Sequence, residues 1–163
     1  MRATLLMLMA VVAMSFAACS SIKTFELGLH GAATLNLNPD KQPNSVRVKV
    51  LRLKGEESAK MFTNAPFDEL WSDPMTAKGI VIDGTPQTLY VPASDQRVVL
   101  TLQSVPPEVT HVGVLGLFNG TTTEDRVVLT RDELGGDLWL HDHAISKQPP
   151  ATAEPTTGKK QGP

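Results

Sequence analysis

The sequence predicts an all-β fold, either a two-sheet sandwich or a barrel, with a short helical insert. Short segments alternate apolar and polar residues, as half-buried strands do. Turn-forming residues separate these segments at near-regular spacing, for example "NPDKQPNS", "DGTP" and "SVPPE". A single stretch, residues 55–79, instead places its large apolar residues at helical spacing. Several short strands at such spacing are typical of sandwiches and barrels.

The first two strands are predicted at residues 33–38 ("ATLNLN") and 46–54 ("VRVKVLRLK"). The second alternates more strictly than the first. Val50 and Leu51 break its period by one residue, which indicates a bulge or a twist there. Further strands are predicted at residues 79–83, 87–92, 97–103, 111–119, 125–130 and 137–143.

The helical insert falls between the second and third predicted strands, at residues 55–79. Ser58 can cap one short helix, and Asn64 can cap a second helix that has Pro66 in its first turn. The apolar residues on one face of the second helix are Phe67, Leu70 and Trp71. Two short helices lying across an edge or end of the sandwich are therefore expected. Their aromatic residues are assigned to the core or a lid in preference to a ligand pocket.

The segment "HVGVLGLFN", residues 111–119, is apolar almost throughout. A strand that is apolar on both faces lies centrally in a sheet and is covered on both sides. Gly113 and Gly116 would allow close approach of a neighbouring sheet, or a kink.

The N-terminal segment has the features of a bacterial export signal, predicted at residues 1–18. Arg2 provides a positive start, residues 5–12 are apolar, and the small pair Ala17–Ala18 precedes Cys19. The apolar stretch is shorter than the roughly 20 residues that a membrane-spanning helix needs. The small pair before a cysteine resembles the bacterial lipobox, which implies cleavage before Cys19, a diacylglyceryl thioether on its sulfur and an acyl chain on the new amino terminus. More than one acyl chain gives stable membrane anchoring.

The alternative for Cys19 is a plain secretory signal with an incidental or buried thiol, since a chain with one cysteine forms no internal disulfide. The predicted domains are a lipidated tether at 19–31, a sandwich at 32–145 and a disordered tail at 146–163, where the sequence is rich in Pro, Thr and Gly. By resemblance to enterobacterial sorting signals, Ser20 after the cysteine favours the outer membrane, with the protein facing the periplasm.

The composition argues against several functions. The formal net charge is −2, and Lys and Arg do not cluster with aromatic residues, so nucleic-acid binding is not expected. No nucleophile–base pair or spaced carboxylate pair suggests an enzyme, and no cofactor is expected. His141, Asp142 and His143 offer metal-ligating atoms, but in a strand the two histidines point to the opposite side from the aspartate. A solvated strand end is the simpler interpretation, and binding of a small molecule or metal remains the alternative function.

The order of several segments resembles the TssJ (SciN) family of outer-membrane lipoproteins of the type VI secretion system. These segments are "LNLNPD", "SVRVKVLRLK", "FDELW", "YVPASDQRVVLTL" and "VGVLGLFN", and they follow a lipobox-like start. Two of them depart from the family pattern: "PASDQR" replaces a glycine turn, and "VLRLK" replaces a strand end with an aromatic residue. The resemblance implies a transthyretin-like β-sandwich with added helices. It also implies binding to the periplasmic C-terminal domain of TssM, with TssL reached indirectly at the inner membrane.

The family binds its partner through the loop between its first two strands, so the resemblance assigns that role to residues 38–45 of this chain. The residues are Asn38, Pro39, Asp40, Lys41, Gln42, Pro43, Asn44 and Ser45. The loop is polar and carries two prolines, which stiffen it and suit a preorganised contact. The alternative is an ordinary hairpin turn.

Overall fold

The computed structural model describes residues 22–74, 79–119 and 125–150, which form two four-stranded sheets packed as a sandwich. The strands are β1 (Lys23–Gly31), β2 (Val46–Lys54), β3 (Gln87–Val91), β4 (Arg97–Val105), β5 (Val109–Leu117), β6 (Arg126–Thr130), β7 (Asp137–His141) and β8 (Ala144–Ser146). The helices are α1 (Gly55–Asn64) and α2 (Phe67–Ser72), and a 3₁₀ turn spans Arg131–Glu133. The predicted all-β sandwich with a helical insert between the second and third strands is confirmed.

The two sheets have the strand orders β4-β1-β7-β8 and β3-β2-β5-β6, and they are called here the β1 sheet and the β2 sheet. Neighbouring strands are antiparallel except for β1 and β7, which run parallel. Strand β1 is thereby held on both sides, with Leu29 opposite Val98 of β4 and Leu138 of β7. This places β1 in the interior of its sheet.

The core between the sheets is made by the inward-facing residues of both. Leu27 and Leu29 of β1, Val48 of β2 and Val114 of β5 are at most 1% exposed. Burying one such side chain stabilises the fold by about 1.5–3 kcal/mol relative to leaving it in water. A chain with one cysteine forms no internal disulfide, so the sandwich relies on non-covalent contacts such as this core.

A second apolar cluster lies on the opposite face of the β2 sheet, beneath the two helices. Its buried residues are Leu51, Leu53, Ala59, Phe62, Leu70, Ile80 and Leu115. The helices therefore lie across the outer face of this sheet, not across an edge or end. The interpretation of the aromatic residues of the insert as core or lid residues is confirmed for Phe62, which is fully buried.

The second cluster explains the apolar pair in β2. Val50 faces the core between the sheets, and Leu51 faces the helices. The register with β5 continues across both residues and shifts only between Leu53 and Lys54. The bulge predicted at Val50–Leu51 is therefore wrong. The two residues point to opposite faces as in any strand, and both faces are covered, one by the β1 sheet and the other by the helices.

The helix caps differ from those predicted. Helix α1 begins at Gly55, so Ser58 lies inside it, donating from its hydroxyl to the Lys54 carbonyl (2.7 Å) and accepting from the Val81 amide (3.0 Å). Helix α2 follows Pro66 without a side-chain cap, so Asn64 does not cap it. The helices are held instead by Arg126, whose guanidinium donates to the Phe62 and Ala65 carbonyls at the end of α1.

Strand β5 is covered on both faces, as its composition predicted, and lies between β2 and β6. Gly113 is required by the helices, because a Cβ atom there would lie 2.8 Å from the Phe62 ring. At Gly116 a Cβ would lie 2.6 Å from the Phe118 ring and 3.2 Å from Ile145 of the β1 sheet. Both glycines therefore permit close packing against β5.

Two predicted strands are absent. Residues 33–36 form a turn in which Asn36 has a left-handed φ of 51°, a conformation that ends extended structure. In the segment 79–83 only Ile82 makes a β-bridge, to Leu53. Both segments connect one element to the next. Their short apolar alternation reflects the burial of single residues, such as Leu35 and Ile80.

The structure also corrects the predicted tether at 19–31, since residues Lys23–Gly31 form β1. Phe25, Leu27 and Leu29 face the core, so this segment belongs to the sandwich. At the other end the fold extends through Ser146, the last residue of β8. The predicted signal peptide and the lipidation residue Cys19 lie outside the described residues, as does most of the predicted tail. Within the described ranges, no helix has the length and hydropathy needed to cross a membrane.

Candidate partner-binding surface

The loop of residues 38–45 lies at one end of the sandwich, between the end of β1 and the start of β2. We call this the loop end. The opposite end, where Lys23 begins β1 next to Val105, is called the entry end. The two ends are separated by the length of β1, nine residues, or roughly 30 Å at about 3.3 Å per residue.

The loop is ordered by its own hydrogen bonds. The Asn38 backbone donates to the Gln42 carbonyl (3.0 Å), and the Asn38 side-chain oxygen accepts from the Gln42 amide (2.8 Å). Lys41 takes a left-handed φ of 60° and donates its amide to the Asn38 carbonyl (2.9 Å). The loop is therefore a closed turn, wider than a two-residue hairpin, with Pro39, Asp40 and Pro43 exposed.

Asn36, which is only 4% exposed, joins the loop to the rest of this end. Its side-chain nitrogen donates to the Ser45 carbonyl (3.3 Å), and its side-chain oxygen accepts from the Asn119 amide at the end of β5. Its backbone amide donates to the Asp142 carbonyl (2.7 Å), in the turn between β7 and β8. Asn36 thus connects both sheets at the base of the loop, the β2 sheet through its side chain and the β1 sheet through its backbone amide.

A groove of about 530 Å³ runs along the loop end. It is lined by Asn36, Asn38, Pro39, Asn44, Ser45, Arg47, Tyr90, Leu117, Phe118 and Asn119. Four of the predicted loop residues line it: Asn38, Pro39, Asn44 and Ser45. The other four, Asp40, Lys41, Gln42 and Pro43, lie outside its lining and are exposed on the loop.

Two cations lie over the ring of Trp71 in α2, and one of them, Arg47, also lines the groove. The Arg47 guanidinium carbon lies 4.9 Å and the Lys49 ammonium nitrogen 5.0 Å from the ring centroid. Phe67 stacks on the same ring with centroids 5.8 Å apart. Lys49 also donates to the Trp71 carbonyl. Burial, followed by the charge of Arg47, lowers the pKa of Lys49 below its usual range.

The histidines considered as metal ligands are not arranged as predicted. Strand β7 ends at His141, and Asp142 and His143 form the turn to β8, with a left-handed φ of 48° at Asp142. His143 meets the Phe118 ring edge to face, with centroids 6.3 Å apart. Across the described residues, no group of three or more His, Cys, Asp or Glu side chains is arranged to hold a metal ion.

Several residues of this surface were missed by sequence reasoning. Asn36 fell within a predicted strand, while Arg47 was treated only as the polar side of β2. Tyr90 and Asn119 come from distant segments and meet the loop only through strand register. The left-handed asparagine in a turn is the signal that could have been recognised, since Asn adopts this conformation more readily than most residues.

The fold and this surface define a class of protein, a β-sandwich module with an ordered surface loop at one end. The chain belongs to the T6SS-SciN family, described as "Type VI secretion lipoprotein, VasD, EvfM, TssJ", whose sequence model matches residues 23–143. The family assignment made from the order of segments is thereby confirmed. No curated protein matches the chain in sequence.

Solved structures share the fold at low identity. A chain of a structure described as the T6SS protein TssM C-terminal domain from EAEC is 20% identical, with a TM-score of 0.63, covering 79% of this chain and 100% of that one. The T6SS lipoprotein TssJ1 from Pseudomonas aeruginosa is 16% identical, with a TM-score of 0.60 and coverage of 80% and 99%. Serratia marcescens Lip, described as a membrane-bound component of the Type VI Secretion System, is 14% identical, with a TM-score of 0.64 and coverage of 76% and 95%.

Proposed function

We propose that this chain is a docking lipoprotein of a type VI secretion envelope complex. Acylated Cys19 holds it to the outer membrane, facing the periplasm, and the loop of residues 38–45 binds the periplasmic C-terminal domain of TssM. TssL is reached only through TssM. The role is mechanical, with membrane attachment on one side and protein contact on the other, and involves no catalysis.

The observation that carries this proposal is the position of the loop relative to the entry end. Three residues separate Cys19 from Lys23, so even a fully extended chain keeps the entry end within about 15 Å of the lipidated residue. Strand β1 then runs the length of the sandwich, and the loop follows at the far end. A short anchor therefore favours a loop end directed away from the membrane, where a periplasmic partner can reach it.

The internal order of the loop also supports binding. A loop that is already hydrogen-bonded at its base, through Asn36 and Asn38, loses little conformational entropy when it binds. The prolines at 39 and 43 restrict it further. Such a surface is suited to a specific protein contact.

Binding to the TssM periplasmic domain tests the proposed partner. We expect the full chain in detergent to bind the domain from the same organism, measured by surface-based binding or pull-down. Replacing residues 39–43 with a Gly-Ser segment of equal length should abolish this binding while the thermal transition of the sandwich is retained. Absence of binding by folded wild-type protein would refute the proposed partner.

Membrane fractionation tests the anchor separately. Cys19→Ser should move the protein from the membrane fraction into the soluble periplasm, because the sulfur that would carry the lipid is removed. Ser20→Ala, next to it, serves as a matched control and should keep the protein with membranes. If Cys19→Ser fractionates like wild type, the proposed anchor is wrong.

A further inference from the structure

Three side chains form a row across the outer face of the β2 sheet, in the part nearest the loop. Arg47 of β2 lies opposite Tyr90 of β3 on one side and Leu117 of β5 on the other. Cross-strand neighbours of this kind lie about 4.5–5.5 Å apart at their Cβ atoms. The helices cover this face farther along, over Leu115, and Trp71 of α2 reaches Arg47, which is half-buried, while Tyr90 and Leu117 remain exposed.

The row exposes two large apolar side chains around one cation. Tyr90 is 65% exposed and Leu117 is 36% exposed, although both lie in regular strands of the described fold. All three residues also line the groove that contains Asn38, Pro39, Asn44 and Ser45 of the loop. The row and the loop therefore present one continuous surface.

Among the described residues, Arg47 has no acidic partner. Within the described part of the chain it makes no ion pair, and its Nε atom is buried without a hydrogen-bond partner. Its guanidinium rests on the Trp71 ring, with 4.9 Å between the guanidinium carbon and the ring centroid. This contact restricts the guanidinium, whose planar fork of N–H groups can form paired hydrogen bonds with a carboxylate.

The acidic residues near this face act on other cations. Asp125 pairs with Arg126 at 2.9 Å, and the charge of Asp73 acts on Lys49, the second cation beside Trp71. Arg47 is therefore the cation of this surface that is available to a carboxylate of a partner.

We propose that this row binds a segment of the partner protein in which an Asp or Glu is flanked by apolar side chains. The carboxylate pairs with Arg47, and the apolar side chains contact Tyr90 and Leu117. This inference rests on the proposed function, and it extends the contact from the loop to the outer face of the β2 sheet. It also explains why an arginine occupies the centre of an otherwise apolar row.

Charge removal at Arg47 tests the inference in the binding assay with the TssM periplasmic domain. Arg47→Gln should weaken binding by about 10- to 100-fold, because a carboxylate in the contact loses its partner. Arg47→Lys should recover only part of this loss, since an ammonium cannot form the paired hydrogen bonds. Lys60→Gln removes the same charge from an exposed position on α1, where Lys60 pairs with Glu56, and should bind like wild type.

Two further measurements separate electrostatic from structural effects. Tyr90→Glu places a negative charge beside the carboxylate expected on the partner, at a position that is highly exposed. The variant should weaken binding while the thermal transition stays unchanged. Raising the salt concentration should weaken binding of wild type more than binding of Arg47→Gln.

The outcomes distinguish this inference from the proposed function. If the loop replacement abolishes binding while Arg47→Gln behaves like Lys60→Gln, the row is not part of the contact and the inference is wrong. If Tyr90→Glu weakens binding and Arg47→Gln does not, the contact is apolar and the acidic partner residue is wrong. If the row instead mediates self-association that Arg47→Gln abolishes, the occupant is a second copy and the inference is overturned. Absence of wild-type binding overturns both proposals.

Discussion

Replacing Asn36 with alanine should strongly destabilise the loop end. The substitution leaves the Asn119 amide and the Ser45 carbonyl without their side-chain partners. Ser45 and Asn119 are themselves exposed, so each lost hydrogen bond costs about 0.5–1.5 kcal/mol. Alanine in the left-handed conformation at this position, where φ is 51°, costs about 1–2 kcal/mol more. The expected loss is about 2–5 kcal/mol, a large part of the roughly 5–15 kcal/mol typical of a folded domain.

A glycine at the same position separates the two contributions. Asn36→Gly loses the same hydrogen bonds, but glycine adopts a positive φ without steric cost. The unfolding free energy of this variant should therefore lie about 1 kcal/mol above that of Asn36→Ala, after allowance for the greater chain entropy of glycine. Asn64→Ala is the matched control, because its side chain bonds one carbonyl on an exposed helix end and should change stability by less than about 0.5 kcal/mol.

Urea unfolding followed by tryptophan fluorescence measures these differences, since Trp71 lies in helix α2 and Trp139 in strand β7 of the β1 sheet. Binding of the TssM domain should also weaken in Asn36→Gly, because the base of the loop loses the hydrogen bonds of the Asn36 side chain. If Asn36→Ala unfolds within about 0.5 kcal/mol of wild type, the Asn36 side chain does not hold Ser45 and Asn119 together as described.

Three other substitutions test packing and charge. Gly113→Ala should destabilise by about 1–3 kcal/mol in urea unfolding, because its Cβ would meet the Phe62 ring at 2.8 Å, and adding Phe62→Leu should recover part of that loss. Arg131→Lys should lose about 1–2 kcal/mol, since one ammonium cannot replace a guanidinium that donates to three carbonyls; a change below about 0.3 kcal/mol would count against this role. The hydrogen bond from Arg97 holds the pKa of Asp137 below its ordinary value of 3.8, so its stabilising contribution is present above that pH and is lost as the pH falls further. In Arg97→Gln the free energy of unfolding should fall less steeply as the pH is lowered from about 5 to about 2. The same steepness as in wild type would contradict the pairing.

Much of the fold could be predicted because its signals are local. The apolar strand β5, the strictly alternating strand β2 and the helical spacing of Phe67, Leu70 and Trp71 each follow from residues close together in sequence. The family resemblance also rested on the order of such segments. These elements were identified correctly, with differences mainly at their ends and caps.

The errors arose where burial depends on distant residues. Strand β1 was assigned to a tether although Phe25, Leu27 and Leu29 alternate correctly, because nothing local shows that β4 and β7 pair with it. The Val50–Leu51 pair suggested a bulge because the helices that cover Leu51 are formed by residues later in the chain.

The same reasoning applies to the candidate site. The loop itself was located from its polar residues and prolines, but its support was not. Asn36 contacts Asn119 and the row around Arg47 assembles only once the sheet register is set. Sequence patterns specify which residues face outward, whereas the three-dimensional register determines which of those residues become neighbours.

Site-specific photo-crosslinking in cells tests the orientation of the protein most directly. A photoreactive residue at Asp40, exposed on the loop, is compared with one at Glu108, whose side chain is 56% exposed next to β5 at the entry end. We expect Asp40 to crosslink to TssM and Glu108 not to do so. Crosslinking to TssM from Glu108 alone would place the partner at the end nearest the membrane and contradict the account.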